Sequence, residues 1–201
     1  GQIIMTTIIL ASNNKDKVKE VKEILKEYNI ISLKDAGIDL DVEENGTTFE
    51  ENALIKARAV CKLTGQLTMA DDSGLEIDYI NKEPGVYSAR YMGEDTAYHI
   101  KNANLIERLD GVEDEKRTAR FVCVIAAVCP DGSEHVTRGT IEGRIAMILR
   151  HIEDRIISKS ILSFDLISYN SFHSTTNYLR LSIWKCSCDR TNESRASLLF
   201  L

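Results

Sequence analysis

Residues 67–74 read Leu-Thr-Met-Ala-Asp-Asp-Ser-Gly, and this stretch decides the fold. The apolar run Leu67 to Ala70 has the length and composition of a buried strand. It delivers two adjacent carboxylates, Asp71 and Asp72, at its C-terminal end. Two like charges there are costly unless a cation or hydrogen-bond donors compensate them. Because ligands of α/β sheets bind outside the carboxyl ends of strands, we expect this pair to lie in a functional site.

The segments on either side alternate between strand and helix patterns. Further strands are predicted at 8–11, 30–33, 75–80, 121–128 and 135–141, the last two as a hairpin around the turn 130–132. Helices are predicted at about 15–28, from an N-cap at Thr47 or Thr48 to Cys61, and at about 96–109. Thr48 and Glu51 have the spacing of a capping box. This alternation predicts an α/β fold with a mixed central sheet flanked by helices.

Composition and charge exclude several classes of protein. The formal net charge of -6 argues against duplex nucleic acid as a partner, because most of the surface would repel a polyanion. No apolar run approaches the length of a membrane span, and Gly1 to Met5 lack the basic start of a signal peptide. The five cysteines lack the spacing of a zinc site and are read as reduced thiols. The sequence therefore predicts a cytoplasmic protein that binds neither duplex nucleic acid nor membranes.

A first group of candidate ligand-binding residues lies at the first strand-to-helix junction. Ser12, Asn14 and Lys17 offer a hydroxyl, an amide and an ammonium beside the positive end of a helix. These donors suit phosphate oxygens. The alternative is simple N-capping of a lysine-rich surface helix.

A second group consists of acidic residues. Glu43 and Glu44 in the loop 39–46 are either a solvated turn or a source of oxygen ligands for Mg²⁺. Of Asp71 and Asp72, one could bind a metal while the other orients or deprotonates a water. The candidate cations for a polyphosphate are Lys56 and Arg58 on the second helix and Arg90 in the segment 88–91, although each alone is more typical of a surface ion pair.

Four ordered motifs carry a resemblance to a known family. They are Ser12-x-Asn14-x-x-Lys17-x-x-Glu20, the segment 43–57 from Glu-Glu-Asn-Gly to Lys56-Ala57, Ala70-Asp71-Asp72-Ser73-Gly74-Leu75, and the segment 84–91, Pro-Gly-Val-Tyr-Ser-Ala-Arg-Tyr. Together they resemble the inosine triphosphate pyrophosphatase family over about residues 5–146. A lone Asp-Asp-Ser-Gly is not specific, but four motifs in order are.

The resemblance implies a two-lobed fold with an active-site cleft, a homodimer, and Mg²⁺-dependent hydrolysis of ITP, dITP and XTP to the monophosphate and pyrophosphate. It implies that Asp72 is the general base and that Glu44 and Asp72 bind the metal. The residues implied to hold the phosphates are Ser12, Asn14, Lys17, Lys56 and Ser73. Water attacks the α-phosphorus in this scheme, and no covalent intermediate is needed.

The tail 147–201 departs from the family. It contains no Gly or Pro, and it carries ten of the fifteen serines. The resemblance leads us to expect a Phe-Gly-Tyr-Asp-Pro-type motif and a Ser-His-Arg motif there, and this chain has neither. A frameshift, alternative splice or mispredicted exon near residue 146 is one hypothesis. We therefore predict a pyrophosphatase-like region 1–146, a divergent tail and, as the alternative function, an impaired isoform that acts, if at all, as a dimerising partner.

Overall fold

The computed structural model describes residues 5–147 together with Leu162–Ser163. The strands are β1 (Thr7–Leu10), β2 (Asn29–Ser32), β3 (Thr68–Ile77), β4 (Thr118–Val128), β5 (Glu134–Ile145) and the two-residue β6 (Leu162–Ser163). The helices are α1 (Lys15–Ile24), α2 (Phe49–Thr64) and α3 (Tyr98–Glu107). The six strands form one mixed sheet with the order β2-β1-β3-β4-β5-β6. The predicted mixed α/β sheet flanked by helices is confirmed.

The start of α2 follows from local sequence chemistry. The Thr48 hydroxyl accepts a hydrogen bond from the Glu51 amide, and the Glu51 carboxylate accepts from the amides of Thr47 and Thr48. This capping box satisfies N–H groups that have no partner within the helix. Of the two predicted N-caps, Thr48 is the one in use, and it fixes where the loop before the helix ends.

The position of Asp71 and Asp72 differs from the prediction. Both lie inside β3, which continues to Ile77 and pairs antiparallel with β4 along its whole length. The predicted separate strand at 75–80 does not form: Leu75 to Ile77 end β3, and Asp78–Ile80 form a 3₁₀ turn. The strand that ends here is β1, whose parallel register with β3 stops at Leu10 opposite Met69. The carboxylates therefore lie just beyond the carboxyl end of β1.

The two faces of the sheet carry different cores. The helix α2 packs over one face, where Ala53, Ala57 and Val60 meet Ala70 and Val124. The helix α1 packs over the other, around Leu25, Met69 and Ile125. Beyond the end of β1, the longer strands carry a third cluster with α3 that includes Leu75 and Leu105. The first two clusters belong to one lobe and the third to the other, so the segment 71–74 lies between two lobes, as the resemblance implies.

Parts of the prediction fall outside the described residues. Apart from Leu162–Ser163, the tail from residue 148 onward is among them, as are Cys186 and Cys188. The predicted boundary at 146 lies directly after β5. No helix in the described part of the chain is long and apolar enough to cross a membrane.

Candidate active site

Asp71 and Asp72 are neighbours in the chain and point to opposite faces of the sheet, because successive side chains of a strand alternate. Asp71 contacts Lys17 on the α1 side, and Asp72 contacts Asn52 on the α2 side. The two carboxylates therefore do not form one paired site. Each has its own environment and its own partner helix.

Asp72 is the buried member of the pair, with 9 % of its surface exposed. Its Oδ2 accepts a hydrogen bond from Asn52 Nδ2 at 3.1 Å, and its Oδ1 accepts from the Ser73 amide at 2.9 Å. Burial raises the pKa of Asp72, and the nearby Glu44 carboxylate adds to this, whereas Asn52 and Lys56 oppose it. A fixed, partly desolvated carboxylate of this kind is suited to accept a proton from a water molecule.

Glu44 and Lys56 lie beside Asp72. The Lys56 ammonium is 3.2 Å from Glu44 Oε1. Arg90 donates a hydrogen bond to the backbone carbonyl of Glu44 at 3.0 Å and lies 5.1 Å from the centre of the Tyr87 ring. Arg90 therefore supports the acidic loop. The structure brings Glu44, Lys56 and Asp72 into one cluster.

The first turn of α1 supplies the opposite side of the site. Asn14 Oδ1 accepts hydrogen bonds from the amides of Asp16 and Lys17, so Asn14 is the N-cap of this helix. Ser12 Oγ accepts from the Asn14 amide at 3.2 Å. The capping interpretation is thus correct for Asn14, and it leaves the two N–H groups of its amide able to bind an anion. A cavity of about 680 Å³ adjoins this turn and is lined in part by Ser12, Asn13 and Lys34.

Lys17, in the first turn of α1, forms an ion pair with Asp71. Its Nζ is 2.5 Å from Asp71 Oδ2. Partial burial lowers the pKa of Lys17, but the Asp71 charge and hydrogen bond outweigh it and Asp72 adds a smaller effect, so the net pKa is raised. Lys17 is therefore a protonated cation within electrostatic reach of both aspartates.

The edge of β3 that β1 leaves uncovered is closed further along by the segment 83–88. The amide of Leu75 donates to Ser88 Oγ at 2.9 Å, and that of Ile77 donates to the Glu83 carbonyl at 3.2 Å. Ser88 thus supports the strand. Ser73, between this segment and the end of β1, is exposed. The accessible part of the edge is the part that carries the aspartates.

One predicted cation does not join the site, and one functional residue was missed. Arg58 is two positions from Lys56 and points outward, where it forms a two-pronged pair with Glu134 at 2.6 and 2.7 Å. Asn52 was not assigned a role, although it holds Asp72. The signal was available, because Asn52 occupies the buried stripe of α2 together with Phe49 and Ala53.

The donor set fits Mg²⁺. In the described residues no group of three His, Cys, Asp or Glu side chains is arranged to hold a metal ion. Mg²⁺ commonly takes only one or two protein carboxylates and fills its other positions with water and phosphate oxygens. Glu44 is near enough to Asp72 for its charge to raise the pKa of Asp72. Such a pair of hard oxygen donors suits this ion.

Comparisons with known proteins found similar sequences and similar structures. The model of the Ham1 family matches residues 8–153. The dITP/XTP pyrophosphatase of Clostridium perfringens is 51 % identical over 149 residues, which are 70 % of this chain and 73 % of that protein. The Staphylococcus aureus Ham1 protein superposes with a TM-score of 0.76 at 33 % identity, over 87 % of this chain and 98 % of that one. A HAM1 protein from Coxiella burnetii gives 0.77 at 33 % identity, over 92 % and 100 %.

Proposed function

Because the chain belongs to the Ham1 family, we propose that it hydrolyses the non-standard purine nucleoside triphosphates ITP, dITP and XTP to the monophosphate and pyrophosphate. This activity removes non-standard nucleotides from the precursor pool. The observation that carries the proposal is the buried Asp72 carboxylate, held by two donors and flanked by Lys56 and Glu44. Relatives named dITP/XTP pyrophosphatase support the same substrate class.

Asp72 acts as the general base in this proposal. Its Oδ1 and Oδ2 are fixed by the Ser73 amide and Asn52, and their remaining lone pairs accept the proton of the attacking water. The water attacks the α-phosphorus, and the bond to pyrophosphate breaks.

The phosphates are held by cations and by the start of α1. Lys17 and Lys56 offset the charge of the triphosphate, while Ser12, Asn14 and Ser73 donate hydrogen bonds to its oxygens. Both lysines contact carboxylates in the structure, so the triphosphate has to compete with Asp71 and Glu44 for them. Negative charge develops on the leaving pyrophosphate in the transition state, so the lysines bind the transition state more strongly than the ground state.

Glu44 and Asp72 are the residues that would hold Mg²⁺. When held by these two carboxylates, Mg²⁺ would offset the negative charge that accumulates on the leaving pyrophosphate. Residues 1–146 form the pyrophosphatase region in this proposal, and 147–201 form a divergent tail. The resemblance supports a homodimer. The free thiols of Cys61, Cys123 and Cys129 support a cytoplasmic protein, and the acidic composition argues against duplex nucleic acid as a partner.

The test is release of pyrophosphate from ITP, dITP, XTP and ATP by the purified chain with Mg²⁺, beside the variant Asp72→Asn. We expect release from the first three substrates, weak release from ATP, and a loss of at least about 100-fold in the variant. Equal, background activity of both proteins would sink the proposal. No feature of the described residues favours the alternative of an impaired isoform.

A further inference from the structure

Asn52 is a polar side chain in the apolar interior between α2 and the sheet. It is fully buried, with 0 % of its surface exposed. A buried amide is costly unless both its ends find hydrogen-bond partners. Asn52 meets this condition through two contacts that lead to different parts of the active site. Asn52 therefore links the positions of these two parts of the active site.

The first contact fixes the orientation of the amide. Asn52 Oδ1 accepts a hydrogen bond from the backbone N–H of Gly46 at 2.8 Å. A backbone N–H can only donate, so the oxygen of the amide has to face Gly46. The Nδ2 group then faces Asp72, and its hydrogen bond to Asp72 Oδ2 measures 3.1 Å. An NH₂ group can only donate, so it requires an acceptor oxygen on Asp72.

The close approach of the acidic loop depends on a glycine. A Cβ atom at position 46 would lie 2.6 Å from Asn52 Oδ1 and 2.7 Å from the Cβ of Glu51. Real Cβ atoms essentially never approach so closely. Gly46 therefore allows the loop to reach the Asn52 amide. Glu44 lies two residues before this point, and Arg90 holds its carbonyl from the other side.

We infer that Asn52 is a positioning residue for hydrolysis, because its amide joins the acidic loop that carries Glu44 to the Asp72 carboxylate. This inference rests on the proposed function. Asn52 touches no reacting atom. Its amide restricts rotation of the Asp72 carboxylate, whose second oxygen the Ser73 amide already holds. It thereby keeps the general base and the Glu44 loop in one fixed arrangement.

Kinetics of Asn52→Asp test the catalytic part. The substitution preserves size and the acceptor for Gly46, and it replaces the donor to Asp72 by an oxygen. We expect kcat for ITP to fall about 10- to 100-fold, the range typical of removing a supporting hydrogen bond, with KM within about twofold of wild type. Ala57→Gly is the control, because it weakens the same buried helix without touching Asp72. It should keep the wild-type kcat.

Thermal melting of a double-mutant cycle tests the contact without relying on activity. Asn52→Asp places an oxygen of residue 52 against Asp72 Oδ2, so two acceptors face each other. Asp72→Asn places an NH₂ group of residue 72 against Asn52 Nδ2, so two donors face each other. The double variant Asn52→Asp/Asp72→Asn restores one donor and one acceptor. We expect it to melt above Asn52→Asp while it releases no pyrophosphate. A double variant that melts at or below Asn52→Asp overturns the contact.

The results also separate this inference from the proposed function. If the wild type releases pyrophosphate and Asn52→Asp keeps its kcat, the positioning role is wrong and the proposed function stands. If Ala57→Gly loses as much kcat as Asn52→Asp, the effect is structural and the positioning role is also wrong. If the folded wild type releases no pyrophosphate from any substrate, the proposed function fails, and the catalytic role of Asn52 fails with it.

Discussion

The Lys17 ammonium lies 2.5 Å from the Asp71 carboxylate, across the point at which β1 ends and β3 continues. Lys17 belongs to the first turn of α1, so this ion pair ties that turn to the central strand. It also gives Asp71 a role distinct from that of Asp72. Asp71 is the counter-ion of a phosphate-binding lysine in our proposal, while Asp72 is the base.

The first prediction separates these two carboxylates. Asp71→Asn should keep kcat within about tenfold of wild type, because it leaves the base intact, whereas Asp72→Asn should lose at least about 100-fold. The loss of the ion pair should lower the free energy of unfolding by about 1 kcal/mol or less, because the Lys17 side chain is 40 % exposed. Steady-state kinetics measure kcat, and urea unfolding measures the free energy of unfolding. Equal losses of kcat in the two variants would contradict the assignment.

The second prediction concerns the support of the acidic loop by Arg90. Arg90→Ala removes the hydrogen bond to the Glu44 carbonyl and the contact with the Tyr87 ring. We expect the Mg²⁺ concentration needed for half-maximal activity to rise about tenfold, because Glu44 loses its fixed position. Arg58→Ala is the matched control, because this arginine pairs outward with Glu134. An unchanged Mg²⁺ requirement in Arg90→Ala would refute the supporting role.

The local parts of the fold were predictable from sequence. The capping box of Thr48 and Glu51 and the apolar runs of β1 and β4 depend on neighbours in the chain. The position of Asp72 was not predictable in the same way. The polar pair Asp71 and Asp72 predicts the end of a strand. However, β3 continues past both residues because it pairs with β4 as far as Ile77, and the strand that ends here is β1. Strand pairing between distant segments decides this, and no local pattern contains it.

The sequence predicts which residues belong to the candidate site better than it predicts the contacts between them. Glu44, Lys56 and Asp72 come together as the motifs suggested. Arg58 does not, and helical geometry explains why, because residues two apart face different sides of a helix. Asn52 could have been found from its position alone, as a polar residue in the buried stripe of α2.

The third prediction concerns Gly74, the last residue of the Asp-Asp-Ser-Gly motif. A Cβ atom there would lie 2.5 Å from the Gly85 carbonyl oxygen and 2.6 Å from Ser88 Oγ. Gly74→Ala should therefore push the segment 83–88 off β3 and lower the free energy of unfolding by about 2–3 kcal/mol. Gly37→Ala, at a positive φ of 66° with no atom within 4 Å, should cost only about 1 kcal/mol. Urea unfolding that ranks the two variants the other way would contradict this packing.

The fourth prediction is a pH dependence of stability at Asp78, at the end of β3. Burial would raise the pKa of Asp78, but hydrogen bonds from Arg120, Lys82 and Thr118 outweigh it and hold the pKa well below its usual range. A lowered pKa in the folded state means that the carboxylate stabilises the fold at every pH above its unfolded pKa of about 3.9. That contribution is lost as the pH falls below this value.

Unfolding in urea at several pH values measures this effect. Asp78→Asn should be clearly less stable than wild type at pH 7. The difference should shrink steadily below about pH 4, because Asp78 takes up a proton in the unfolded wild type before it does so in the folded state. Arg120→Gln provides the control, since it removes the main donor to Asp78. Added to Asp78→Asn, it should cost less than it does in wild type, because the two changes break one interaction. A difference between wild type and Asp78→Asn that stays constant down to pH 2 would rule out the lowered pKa.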